Sequence, residues 1–192
     1  MSTLVNVFRT VSLLAFAGPM LLGVGGRPRG ESKTRARHGG SGRAPVVANL
    51  AAFSLFFPLL IIFSGSTNGF TALLLASLGS LLAIAGAALV LRSRAELGPA
   101  WSFVPKADQE TGLVTTGPYC VVRHPIYLGL ALLAAGEALA FSSWPSVLIL
   151  LFGIVPTFAW RARAEEALLS RTFGSRYALY QEQTSMIIPY LL

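Results

Sequence analysis

The chain has 192 residues, of which 54% are hydrophobic and only 12% charged. Soluble domains carry about 25% charged residues, so much of this surface cannot face water. The net charge of +7 comes mostly from arginines clustered between apolar segments, with no nucleic-acid-binding motif beside them, which points to membrane orientation and not to nucleic acid.

Five apolar segments follow in chain order, at 4–24, 45–63, 70–91, 126–141 and 144–160. The first is interrupted by Arg9 and Pro19. It lacks the compact positive start and the small-x-small site of a cleaved signal peptide, so it is read as retained. The first three reach the roughly 20 residues that cross a bilayer core. The last two, about 16 or 17 residues each, suit short spans or a tight helical hairpin bent at Ser142 and Ser143. The expected fold is therefore all-α, a polytopic membrane protein with about five transmembrane helices. Residues 1–92 form an N-terminal membrane part with a basic loop at 25–45, and residues 93–192 form a region carrying the chemistry.

Basic residues set the orientation. Arg27, Arg29, Lys33, Arg35, Arg37 and Arg43 follow the first segment. Arg92, Arg94, Lys106 and Arg123 follow the third, and Arg161, Arg163, Arg171 and Arg176 follow the fifth. Placing all three groups in the cytosol gives an N-terminus outside, five crossings and a C-terminus inside.

Several site types drop out. Cys120 is the single cysteine, which excludes a disulfide framework and a Cys-cluster metal site. His38 and His124 leave little for zinc or iron, and no metal site is predicted. The glycines at 23–30 follow an apolar span and lack the phosphate-loop lysine, so they read as a flexible loop.

The informative stretch is 97–127, LGPAWSFVPKADQETGLVTTGPYCVVRHPIY. It is too rich in Gly and Pro for a spanning helix and should lie at the cytosolic face. Pro125 suits the first turn of the fourth helix, which puts His124 at its cap beside free backbone N–H groups. A helix is expected over 160–173, stopped by Gly174, with a short one near 177–183. On the former, Arg161, Glu165 and Leu168 share a face. Glu165 or Glu166 can attract a sulfonium or ammonium, His124 and the amides near Pro125 a carboxylate, and Tyr119 and Tyr127 a flat ring. Such a set suits an amino-acid-bearing cofactor such as S-adenosylmethionine (SAM), held without a Rossmann fold.

Plainer readings stand beside these. Arg123, Arg161 and Arg163 can be positive-inside anchors. Tyr177, Tyr180, Trp101, Trp144 and Trp160 read as an interfacial aromatic belt. Glu137 lies inside the fourth segment, about 20 Å along the helix from His124, and is read as a packing or far-face residue.

The chain resembles the isoprenylcysteine carboxyl methyltransferases and the related phospholipid methyltransferases. The resemblance lies in LGxxWS at 97–102, LVTTGPY at 113–119, RHPIYLG at 123–129, RxxxEE at 161–166 and FGxxYxxY at 173–180, in that order. It covers roughly the C-terminal half. It implies SAM in a cytosol-facing pocket and methyl transfer to a lipophilic substrate entering from the bilayer, with a prenylated cysteine carboxylate, a phospholipid amine and a small hydrophobic thiol or acid all open as acceptors. Leu113, Val114 and Tyr119 would line the cofactor pocket; His124, Pro125, Tyr127 and Glu165 or Glu166 would hold SAM; Arg161 would face the substrate. The competing readings are a membrane reductase using a nicotinamide cofactor and a non-catalytic membrane protein.

Overall fold

The structure, a computed structural model, describes residues 2–24, 43–65, 69–98 and 112–189. Trp101, His38, Lys106, most of the basic loop and most of the LGxxWS motif lie outside them. The elements are helices α1 (Ser2–Val24), α2 (Arg43–Ile62), α3 (Gly69–Leu97), α4 (Pro125–Ala140), α5 (Trp144–Ile149), α6 (Val155–Phe173) and α7 (Ser175–Gln183). A 3-10 turn, Gly117–Cys120, precedes α4. By length and hydropathy Ala44–Ile62, Gly69–Leu97 and Trp144–Phe173 can each cross a membrane, while Ser2–Gly18 and Pro125–Ala140 are shorter apolar helices.

The expected α4–α5 hairpin is present. Ser142 takes a left-handed φ of 54°, and α5 starts two residues later. The fifth segment, however, does not end at Trp160. From α5 the chain passes through one π turn, Leu150–Ile154, straight into α6. Pro156 offers no N–H to the carbonyl one turn back, and the wider π turn absorbs that missing bond without breaking the helix. The apolar span and the polar site helix are thus one continuous rod.

Successive spans run antiparallel, whereas α1 and α3 pack side by side in parallel, from Val5 against Ala72 to Phe16 against Ala87. The most intimate contact joins α3 to α4, through Gly79 and Gly86 on one and Gly129 and Gly136 on the other. A Cβ added to Gly79 would meet the Gly136 carbonyl oxygen at 2.5 Å, and one added to Gly86 would meet that of Gly129 at 2.6 Å. Only glycine permits such backbone approach, the packing mode of membrane helices in which van der Waals contact replaces hydrophobic drive. Phe16, Phe53, Phe56, Phe57 and Phe158 interlock α1, α2 and α6, with ring centroids 5.0–6.2 Å apart.

One end of the bundle is tied by serines. Ser143 Oγ donates to the Leu59 carbonyl (3.1 Å) and Ser146 Oγ to that of Phe56 (3.4 Å), which holds α2 to the hairpin. Glu137 lies near this end. It is fully buried and accepts a bond from Ser12 Oγ at 3.1 Å, joining α4 to α1. His124 and Glu165 lie at the opposite end.

Candidate functional site

His124 is the N-cap of α4, with Pro125 in the first turn. Its position is fixed from outside the helix. The segment after α7 forms a parallel bridge at Val122 and Ser185, and the backbone N–H groups of Arg123 and His124 donate to the Ser185 and Met186 carbonyls at 2.9 and 3.0 Å. The imidazole stacks on Tyr127 with centroids 5.5 Å apart, and Tyr127 stacks on Phe158 at 5.2 Å. This column of rings is the floor of the site.

α6 supplies the acids. The Tyr127 hydroxyl donates to Glu165 Oε1, and Arg161 Nε donates to the same oxygen at 3.2 Å. The Arg161 guanidinium also lies 5.5 Å above the Tyr127 ring. Glu165 Oε2 is 3.6 Å from His124 Nδ1, beyond hydrogen-bond reach. Glu166 has different partners. Arg123 Nε binds its Oε1 at 2.6 Å, and Gln181 reaches its Oε2 at 3.4 Å. Arg123 further donates to the Gln181 carbonyl at 3.2 Å and to that of Thr184.

The two acids therefore differ in what they leave open. Glu166 is enclosed by Arg123 and the end of α7, with 14% of its side chain exposed. Glu165 retains 20% exposure and an oxygen facing His124. His124 Nε2 is buried without a hydrogen-bond partner, 3.5 Å from Glu166. The unsatisfied Nε2 thus faces the enclosed Glu166 while Nδ1 faces the half-open Glu165, and a buried imidazole with an unsatisfied nitrogen is an arrangement that a polar ligand completes. The arrangement fits a zwitterionic amino-acid group with a nearby cationic centre.

Tyr119 closes one side. Its carbonyl accepts the Tyr180 hydroxyl at 2.6 Å, and its phenol is held above the usual range by burial first, then by Tyr180, Glu165 and Glu96. It remains a protonated donor. Leu113 and Val114 are half-buried in the extended segment leading into the 3-10 turn.

Tyr119, His124, Pro125, Tyr127, Arg161, Glu165 and Glu166 thus come together as one cluster. Two plain readings fail. Arg123 is no surface anchor, because its guanidinium is spent on Glu166 and two carbonyls. Tyr177 and Tyr180 are not interfacial either: α7 folds back behind the site and buries both, to 0% and 8% exposure. Trp144 and Trp160 are exposed, as an interfacial belt requires. A further partner escaped sequence reasoning: Thr116 Oγ1 donates to Glu96 at the end of α3, beside Gly117. No spacing rule links residues 20 positions apart.

A family model described as phospholipid methyltransferase matches residues 74–176, just over half of the chain. The chain belongs to this family. Family members with curated names include the protein-S-isoprenylcysteine O-methyltransferase of Saccharomyces cerevisiae, 34% identical over 72% of this chain and 57% of that protein. The Schizosaccharomyces pombe protein of the same name is 33% identical over 52% of this chain and 44% of its own length. The chain spans about half the length of these relatives. Among solved structures, the eukaryotic intramembrane Ras methyltransferase ICMT superposes with a TM-score of 0.53 at 21% identity, over 78% of this chain and 53% of that one. The all-α membrane fold is shared with it.

Proposed function

We propose that the chain is a SAM-dependent integral membrane methyltransferase acting on the carboxylate of a lipophilic acceptor of the prenylcysteine class. One observation carries the reading. Glu165 is held by Arg161 and Tyr127 with its second oxygen toward Nδ1 of the buried His124, whose Nε2 has no hydrogen-bond partner, in a family whose named relatives are isoprenylcysteine O-methyltransferases.

Glu165 and the imidazole of His124 would hold the amino-acid part of SAM. Tyr119, with Leu113 and Val114, would line the rest of its pocket, and Pro125 and Tyr127 would wall it toward α4. Glu166 is assigned to holding Arg123 and the α7 segment in place, with no direct contact to the cofactor. SAM supplies a methyl group already activated by its sulfonium. Arg161 would place the acceptor carboxylate in line with that methyl, and a carboxylate nucleophile needs no base. The apolar walls of α2 and α6 exclude water and admit the lipid tail from the bilayer. Residues 1–92 would chiefly form the membrane scaffold, and 93–192 the catalytic region. The basic residues grouped at the site end support a cytosolic placement of the site and C-terminus, with the N-terminus opposite.

The test is a thermal-shift series in detergent with SAM, S-adenosylhomocysteine and NADPH, followed by labelled methyl transfer to an N-acyl S-prenylcysteine. Stabilisation by SAM or its product, with transfer, is expected. Stabilisation by NADPH alone overturns the reading in favour of a reductase. The absence of any shift favours a non-catalytic protein.

A further inference from the structure

α2 carries one buried polar side chain that the reading above does not use. Asn49 is 8% exposed. Its Nδ2 donates to Thr157 Oγ1 on α6 at 3.0 Å, and Thr157 Oγ1 in turn donates to the Ile154 carbonyl at 2.8 Å. The threonine proton is spent on that carbonyl, so the carboxamide must present its N–H group to Thr157. The amide oxygen then faces away from Thr157 and is not among the fully buried side-chain atoms, so it is open to a donor from outside this helix pair. A clamp between two helices needs only the one bond, and serine or threonine would make it without leaving an acceptor over.

The position of the pair says what could meet that oxygen. Thr157, Arg161 and Glu165 are spaced four apart on α6, one stripe rising about 6 Å per step. Asn49 therefore lies about one helical turn deeper in the bundle than Arg161. One turn further along α2, Phe53 packs on Phe158 at 6.1 Å, and Phe158 stacks on Tyr127. Asn49 thus lies one turn along α2 from a residue that packs on the ring column flooring the site.

We propose that Asn49 determines acceptor specificity: its amide oxygen accepts a hydrogen bond from an N–H on the carbon that bears the acceptor carboxylate. The proposal rests on the methyltransferase reading and adds to it the feature of the acceptor that is recognised. With the carboxylate on Arg161 and the lipid tail directed into the bilayer, the next polar atom inward from an N-acylated S-prenylcysteine is its amide nitrogen. That N–H is the one donor on the ionised molecule, and Asn49 offers an unspent acceptor one turn below Arg161.

The experiment compares kcat/KM for two acceptors with purified protein in lipid: N-acetyl-S-farnesylcysteine and 3-(farnesylthio)propionic acid, which lacks only the acylamino group. The wild type should favour the first by about tenfold, the worth of one well-made hydrogen bond in a dry site. Asn49→Leu should bring the ratio to about one while SAM affinity is unchanged, and Thr157→Val should keep the preference because the amide oxygen remains. Equal rates with the wild type overturn the proposal without recourse to any variant. A proportional loss on both acceptors in Asn49→Leu also overturns it, since that marks a helix clamp. If Asn49→Leu does not fold, N-methylation of the acetylcysteine amide serves in its place, and an undiminished rate overturns the proposal. Transfer to neither acceptor, with SAM still bound, overturns the prenylcysteine reading itself.

Discussion

Glu165 and Glu166 are adjacent in sequence, yet a helix turns them about 100° apart, and the structure gives them different work. Glu165→Gln removes the charge that faces His124 and, on the proposed reading, the cofactor's cationic centre. It should weaken SAM binding between about 10- and 100-fold in calorimetric titration, the range for a charge-assisted hydrogen bond, with little change in melting. Glu166→Gln should do the reverse. It unpairs Arg123 in a half-buried site and should lower stability by about 1–3 kcal/mol, read from denaturation in detergent. Equal effects of the two substitutions on SAM affinity would contradict the assignment. Tyr180 gives a pH signature. Burial pushes its phenol up to about 12 from the usual 10.0. The unfolded chain ionises first, so stability should be flat below pH 10 and fall as pH rises from 10 through 12. Tyr180→Phe should lessen that fall, to which the raised phenols of Tyr119 and Tyr177 also contribute, and cost about 1 kcal/mol at neutral pH through the lost bond to the Tyr119 carbonyl.

Among the elements, the α3–α4 pair decides whether the site can form, because α4 presents His124 and Tyr127. Its glycines tolerate nothing larger. Gly86→Leu or Gly136→Val drives a side chain into backbone within 2.6 Å and should abolish folded, monodisperse protein on gel filtration. Gly153 is the control. An added Cβ there meets only the Ala52 Cβ at 3.5 Å and Ile149 at 3.6 Å, so Gly153→Ala should be neutral or slightly stabilising. The hydrophobic runs of both helices were plain in the sequence, but their pairing was not. Spacing of seven between Gly79 and Gly86, and between Gly129 and Gly136, is visible in retrospect; nothing in one sequence says that the two stripes face each other. Similarly, Gly174 ends α6 as its residue type requires, whereas the π turn at 150–154 was unreadable, because it compensates Pro156 locally and leaves no hydropathy mark.

Taken as a whole, the molecule has two polar centres at opposite ends of one bundle. Glu137 belongs to the end away from His124, about 20 Å along α4. Glu137→Gln can keep the Ser12 bond and should leave methyl transfer within about twofold of wild type, whereas Glu137→Leu removes this α1–α4 bond and should lower the melting temperature without changing SAM affinity. The sequence by itself determined the membrane class and the helical segments; it offered the bend at Ser142 and Ser143 as one of two readings and proposed the candidate site residues. Hydropathy, turn chemistry and a short ordered set of motifs are local properties that survive in one dimension. The tertiary structure alone decided which acid is half-open, why Arg123, Tyr177 and Tyr180 are buried, and that α2 sets Asn49 on Thr157 of α6. Those depend on which faces of distant segments meet. In a membrane the apolar surface is alike on every side of a helix, so close backbone approach and a few buried polar bonds choose the partner.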